Sequence, residues 1–181
     1  MAAIREATRA ELADFGYGGV TYEGVARRAQ TGKPVIYRRY PSRAHMVIDA
    51  LPTLHWQPDD GLVWTQSLRE DLLLLFSTVV EVLLGFGVDN YRSLIAEADA
   101  DLFSTLDAQV ISLAERTVYP ALERARARGE LGPREIPHRA ATSIGVLVRN
   151  EMFFSLTPLD ATTLAEILDD VYLPLVQTLS R

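Results

Sequence analysis

Apolar residues recur at three- and four-residue intervals along almost the whole 181-residue chain, and no stretch shows a convincing alternation of apolar and polar residues that would mark a β-strand. Glycines and prolines divide this helical pattern into separate segments. The sequence therefore predicts an all-α fold with about nine helices, at residues 3–15, 22–29, 33–40, 43–51, 64–86, 90–100, 104–128, 136–156 and 160–180.

The ends of the first helices are predicted from their capping residues. The apolar stripe of the first helix is expected to consist of Ile4, Ala7, Leu12 and Phe15. This helix should end at Gly16, and Gly18–Gly19 should form a loop. Thr21 and Ser42 have side chains that can cap the helices that follow them.

A break after the fourth helix predicts two domains. Pro52, Pro58 and the run 59–61 interrupt the helical pattern. We expect a helix-turn-helix domain at residues 1–48 and a larger helical domain at residues 49–181.

Residues 16–43 have the pattern of two short helices joined by a three-residue break. On the second helix, two pairs are four residues apart and therefore share a face, Lys33 with Tyr37 and Pro34 with Arg38. Ile36 and Tyr40 fall on another face, where they can pack against the preceding helix. A short helix with an apolar back and a basic, aromatic front fits the major groove of DNA, which is about 12 Å wide.

The charge distribution favours the same interpretation. The net charge of −6 would by itself argue against nucleic acid. Residues 21–45, however, hold six basic residues and one acidic residue, whereas residues 51–181 hold ten basic and nineteen acidic ones. A local positive patch can attract phosphate while the acidic remainder limits indiscriminate binding.

Residues 4–48 hold a set of characteristic residues at fixed spacing, Gly16-Tyr17, Thr21, Val25-Ala26, Ala29, Lys33, Ile36-Tyr37, Tyr40, Ser42 and Arg43. In these positions the segment resembles the DNA-binding domain of the TetR family of transcriptional regulators. Four positions depart from the family pattern. Gly32 replaces the usual serine, Pro34 and Val35 replace small or hydroxylated residues, and Glu11 stands where an apolar residue is usual.

The resemblance implies roles for individual side chains. The candidates for contacting base edges are Lys33, Pro34, Val35 and Arg38, and those for contacting phosphate are Thr21, Tyr22, Thr31, Tyr37, Arg39 and Arg43. It also implies a homodimer that binds a palindromic operator in double-stranded DNA. Such a protein would act as a repressor that a small-molecule effector releases.

The C-terminal two-thirds resemble the ligand-binding domain of one TetR-like subgroup. We expect the last two long helices to form the dimer interface, through Ile144, Leu147, Val148, Leu164, Ile167, Leu168, Val171 and Leu175. The expected effector pocket is lined by Phe76, Val80, Leu83, Phe86, Tyr91, Phe103, Tyr119, Arg149, Met152 and Phe153. Ordinary packing in the core is the alternative for each of these residues.

Other chemistries find little support in the sequence. There is no cysteine, and His45, His55 and His138 lack the paired spacing of metal ligands, so we expect no metal site, no cofactor and no enzyme. The N-terminus lacks the apolar core of a signal peptide, and Glu81 interrupts the most hydrophobic stretch, so we expect a cytoplasmic protein without a membrane partner. Two alternatives stay open: a small-molecule binding protein of the same fold that has lost specific DNA binding, and an enzyme built in the helical cavity.

Overall fold

A computed structural model describes residues 2–51, 64–155 and 159–181, and the regular structure within them is entirely helical. The predicted all-α fold is confirmed. These described residues form nine helices when the last three segments, which follow one another without a break, count as one. They are α1 Ala2–Gly19, α2 Tyr22–Arg28, α3 Lys33–Arg39, α4 Arg43–Asp49, α5 Leu68–Phe86, α6 Val88–Ala96, α7 Ala100–Ala127, α8 His138–Phe154, and α9 Ala161–Glu166 continuing through π1 Ile167–Tyr172 into α10 Leu173–Ser180.

The end of α1 differs from the prediction. Gly16 has a φ of +64°, which kinks the helix, and one further turn follows up to Gly19. The expectation that Gly18–Gly19 forms a loop was therefore wrong. The apolar stripe also differs from the prediction: Ile4, Ala7 and Leu12 are buried, but Phe15, the residue just before the kink, is 57% exposed.

Both predicted side-chain caps are present. Thr21 Oγ1 accepts a hydrogen bond from the backbone N–H of Gly24 at the start of α2, and Ser42 Oγ accepts one from that of His45 at the start of α4. Gly32, which precedes α3, provides no side-chain cap. The short helices α2 and α4 thus begin where their capping residues predict.

The chain forms two compact units. The first consists of Met1–His55 and Val82–Ala108, and the second of Trp56–Glu81 and Gln109–Arg181. α5 contributes residues to both units. The division into domains at 1–48 and 49–181 stays a prediction; the first compact unit also includes residues beyond that boundary.

In the second unit, the long C-terminal helix packs along α8 through residues spaced four apart. The buried positions are Leu164, Leu168, Tyr172, Val176 and Ser180. In a regular α-helix each four-residue step drifts by about 40° around the axis, which would carry the row off the buried face. The wider turn of π1, in which the Leu173 N–H bonds the Leu168 carbonyl, reduces this drift. Tyr172 donates a hydrogen bond to the Ala141 carbonyl at 2.8 Å, which ties the helix to α8.

Within the described ranges, no single helix is long and apolar enough to span a membrane, although α5 and α6, bent at their junction, meet that criterion as a pair.

Candidate nucleic-acid interface

α2 and α3 form a tight helix-turn-helix with a common buried side. In the turn, Gln30 has a φ of +51° and the Thr31 N–H bonds the Ala26 carbonyl at 3.0 Å. Val25 of α2 and Ile36 of α3 are both fully buried. Apolar burial on this side fixes the orientation of α3, so its opposite side faces solvent.

The outward side of α3 is basic and aromatic. Lys33, Pro34, Val35, Tyr37 and Arg38 are all exposed. Two of these have large apolar groups in water, since Val35 is 39% and Tyr37 is 53% exposed. A surface with exposed apolar groups next to cations suits a partner that offers both phosphates and the methyl groups of base edges.

Tyr37 is held in place by an aromatic stack. Its ring lies against that of Tyr22, with 4.4 Å between the centroids. The Tyr22 hydroxyl donates a hydrogen bond to the Tyr40 carbonyl at 3.2 Å, and burial raises the pKa of Tyr22. Thr21, which caps the start of α2, is exposed, and Thr31, in the turn between α2 and α3, is half-buried.

Asp49 of α4 anchors the C-terminal end of α3. Its carboxylate accepts a hydrogen bond from the Tyr40 hydroxyl at 2.6 Å and pairs with the Arg5 guanidinium at 3.1 Å. Burial works to raise the pKa of Asp49, but the hydrogen bonds from Arg5 and Tyr40 outweigh it and hold the pKa below its ordinary value. Burial and the bond to Asp49 raise the pKa of Tyr40.

Most cations of residues 21–45 are already paired with carboxylates. The pairs are Arg28 with Glu11 and Asp14, Lys33 with Glu23, Arg39 with Asp49, and Arg43 with Glu97. Among the residues that the structure describes, Arg27 and Arg38 form no ion pair. Arg38 is thus the cation of α3 most available to an incoming ligand.

Arg43 is part of a network between α4 and the end of α6. It pairs with Glu97, donates to the Gly18 carbonyl at 3.2 Å, and lies over the Tyr17 ring at 4.5 Å. The Tyr17 hydroxyl donates to Glu97 at 2.7 Å, and burial together with Glu97 raises the pKa of Tyr17 to about 12. The expected phosphate contact of Arg43 stays a prediction, and a phosphate there would have to displace Glu97.

Glu11 is a structural residue that the sequence analysis noticed without explaining. It is 2% exposed and accepts a hydrogen bond from Arg28 Nε at 2.5 Å. Its carboxylate lies against the backbone of Gly24, where an added Cβ would come within 2.1 Å of Oε2. The unusual acid on α1 and the glycine on α2 that leaves room for its carboxylate are therefore one feature.

Comparison with known proteins decides the family. Residues 4–50 match the family model described as bacterial regulatory proteins, tetR family. Residues 63–171 match the model described as the Tetracyclin repressor-like C-terminal domain, which by itself covers more than half of the chain. The chain belongs to the TetR family. It is a DNA-binding transcriptional regulator with a helix-turn-helix.

Relatives of this TetR-family chain extend over most of its length. An uncharacterized HTH-type transcriptional regulator of Mycobacterium tuberculosis is 27% identical over 90% of this chain and 81% of its own. A DNA-binding transcriptional repressor TetR of Mycobacteroides abscessus is 29% identical over 92% of this chain and 88% of its own. A solved structure from Clostridium perfringens, described as a fatty acid metabolism regulator, shares the fold with a TM-score of 0.56 at 19% identity, over 96% of both chains.

The predicted effector residues of the TetR-family C-terminal part are divided between the two units. In the second unit Phe76, Val80, Met152 and Phe153 are buried, while Arg149 and Tyr119 are half-buried. Tyr119 is hydrogen-bonded to His138 at 2.7 Å. In the first unit Phe86 and Tyr91 are buried, Leu83 is half-buried and Phe103 is 50% exposed. The pocket stays a prediction, and Phe103 is the member that does not pack as a core residue.

The predicted dimer residues separate into an inner and an outer set. Ile144, Val148, Leu164 and Leu168 are buried within the chain itself, so these side chains pack against their own subunit. Leu147 and Ile167 are half-buried. Val171 and Leu175 are 49% and 37% exposed, and Val146, which the sequence analysis left out, is 48% exposed.

No group of three or more His, Asp or Glu side chains in the described part of the chain could hold a metal ion.

Proposed function

We propose that this chain is a repressor that binds a palindromic operator as a homodimer, through the exposed side of α3, and that a small-molecule effector releases it. One observation carries the proposal. α3 buries Ile36 completely while it presents Lys33, Tyr37 and Arg38 to solvent. A helix held from behind in this way can enter a major groove without disturbing the core.

The proposed reading of the operator assigns different roles to the exposed side chains. Arg38, with no ion pair among the described residues, would donate two hydrogen bonds to a guanine. Val35 would contact a thymine methyl group. Contacts to phosphate, which set the register, would come from Thr21, Tyr22, Thr31, Tyr37, Arg39 and, on leaving its present partners, Arg43.

A dimer is proposed because one recognition helix contacts too few bases. Two copies related by a two-fold axis would read half-sites roughly 34–36 Å apart, or a multiple of that distance. Val171 and Leu175 are exposed on the C-terminal helix, and Val146 is exposed on α8. These apolar groups are the surface through which the copies would meet.

Release by an effector requires that the effector bind one conformation more tightly than another. α4 is linked to residues of the first unit that follow α5, through Arg43 with Glu97 and His45 with Asp101. We propose that an effector shifts these partners and that α4 carries the shift to α3. The repressor role agrees with the name of the Mycobacteroides abscessus relative. A cytoplasmic location is part of the same proposal.

Selection of duplexes from a random pool, followed by binding to the selected sequence at fixed salt, tests the proposal. Arg38→Ala should lose about 1–3 kcal/mol of binding, or about five- to 150-fold in affinity, and should relax the preference at one base pair. Tyr37→Ala and Lys33→Ala should weaken binding while thermal unfolding stays close to wild type. Arg139→Ala, which removes an exposed arginine from the second unit, is the matched control.

If selection enriches no sequence although the protein is folded, operator binding is refuted. A small-molecule binding protein of this fold would then be the better description.

A further inference from the structure

Glu23 is the one acidic residue among residues 21–45, which hold six basic residues. Its Oε1 is 2.8 Å from the Lys33 Nζ, and the two side chains are 48% and 55% exposed. The bond to Lys33 lowers the pKa of Glu23, so the carboxylate is charged at neutral pH. The pair joins the first turn of α2 to the first residue of α3.

The position of this pair places it inside the proposed interface. Tyr22, the neighbour of Glu23, stacks on Tyr37 of α3. Arg27 lies four residues after Glu23 and therefore on the same face of α2, where it is exposed and forms no ion pair within the described ranges. Glu23 thus neutralises Lys33 and leaves the neighbouring cation unpaired.

The energetics of the pair allow exchange. An ion pair open to solvent is weak and is screened by salt, so acceptor groups of DNA can replace Glu23 as the partner of Lys33. On a duplex without matching bases, Lys33 can gain only a phosphate, while Glu23 is repelled by the same phosphates. On the operator, guanine O6 and N7 offer Lys33 acceptors that random sequence offers only by chance.

We propose that Glu23 is a specificity-determining residue: it keeps Lys33 from binding phosphate and releases it only where bases accept hydrogen bonds from Lys33. This rests on the proposed function, since it takes α3 to be the reading helix. Glu23 therefore weakens binding to random duplex more than binding to the operator. A role limited to joining α2 to α3 would change stability and leave the ratio of the two affinities unchanged.

The test measures full-length protein binding to a random-sequence duplex and to the selected operator, by fluorescence anisotropy between 50 and 200 mM salt. Glu23→Gln frees Lys33 for about one further phosphate per subunit, which makes the salt slope steeper by about 0.9 and adds about a 3.5-fold loss per subunit across that range. At low salt, random duplex should gain more affinity than the operator.

The control is Glu6→Gln, which removes an equal charge from α1 in the same unit, where Glu6 pairs with Arg9 at 2.6 Å. It should behave as wild type. Glu23→Gln should raise the affinity for random duplex less in a Lys33→Gln background than in the wild-type background. Circular dichroism checks folding, and Glu23→Ala replaces the glutamine variant if that one unfolds.

The random-duplex measurements need no operator, so the two proposals fail separately. If the protein binds an operator and Glu23→Gln has the same affinities as Glu6→Gln, only the role of Glu23 is refuted. A gain that is equally large without Lys33 also refutes it, because the effect would then be one of general charge. If selection finds no operator but Glu23→Gln still gains affinity for random duplex through Lys33, the proposed repressor function is refuted. The role of Glu23 in keeping Lys33 from phosphate is then retained. No binding to any duplex at low salt refutes both.

Discussion

Gly24→Ala probes the close approach of α1 and α2. A Cβ at this position would lie 2.1 Å from Oε2 and 2.7 Å from Cδ of Glu11. The carboxylate must move away, and because Glu11 is 2% exposed it has no solvent to move into. Moving it breaks the hydrogen bond that it accepts from Arg28.

Two opposing free energies decide the outcome. Alanine favours a helix over glycine by up to about 1 kcal/mol. Losing a hydrogen bond to a buried charged group costs about 1.5–3 kcal/mol. We therefore expect Gly24→Ala to lower the free energy of unfolding by about 1.5 kcal/mol, or the melting temperature by about 3–6 °C. Thermal unfolding followed by circular dichroism measures the change.

A double-mutant cycle isolates the cause. In a Glu11→Ala background the obstacle is gone, so Gly24→Ala should stabilise the protein by up to about 1 kcal/mol. The sign of the substitution thus reverses with the residue at position 11. If Gly24→Ala destabilises both backgrounds equally, contact with Glu11 is not the reason that α2 carries a glycine.

Three further substitutions test other contacts. The raised pKa of Tyr17 means that its stabilisation is complete below about pH 10 and is lost as the pH rises towards 12, so Tyr17→Phe should reduce the loss of thermal stability between pH 8 and pH 11. The pKa of Asp49 is lowered, so its contribution to stability is present above about pH 4 and is lost as the pH falls further. Asp49→Asn should therefore be less stable than wild type by about 2 kcal/mol at pH 7. In urea titrations, this difference in the free energy of unfolding should become smaller towards pH 3. Gly132→Ala would place a Cβ 2.2 Å from the Ser180 carbonyl oxygen. It should lower the free energy of unfolding by about 1–3 kcal/mol in the same assay. An unchanged urea midpoint would show that the C-terminal turn moves away to make room for the methyl group.

The parts of the fold that depend on neighbouring residues were predictable. Thr21 and Ser42 cap their helices through amides three residues away, which the sequence displays directly. The additional turn after Gly16 was not predictable in this way. It is held by a hydrogen bond from the Tyr17 N–H to Asn90, a residue 73 positions further along the chain.

The candidate interface divides in the same manner. The exposed side of α3 follows from the spacing of Lys33, Ile36 and Tyr37. The pairing of its cations does not, because Glu97 is 54 positions from Arg43 and spacing rules on one helix see only near neighbours. Helical periodicity also shows that Ile144 and Leu168 face something apolar, but it cannot tell whether their own chain or a second copy covers them.

The wide turn at Ile167–Tyr172 links the inner and outer rows of the C-terminal helix. The outer row, Ile167, Val171 and Leu175, has the same four-residue spacing as the buried one. If the same residues were wound as an ordinary α-helix, Val176 would lie about 120° around the axis from Leu164 instead of on the same buried face. Val176 would then leave the core and Leu175 the outer row, so loss of this one wide turn would disturb both the packing of the subunit and the proposed contact between two copies.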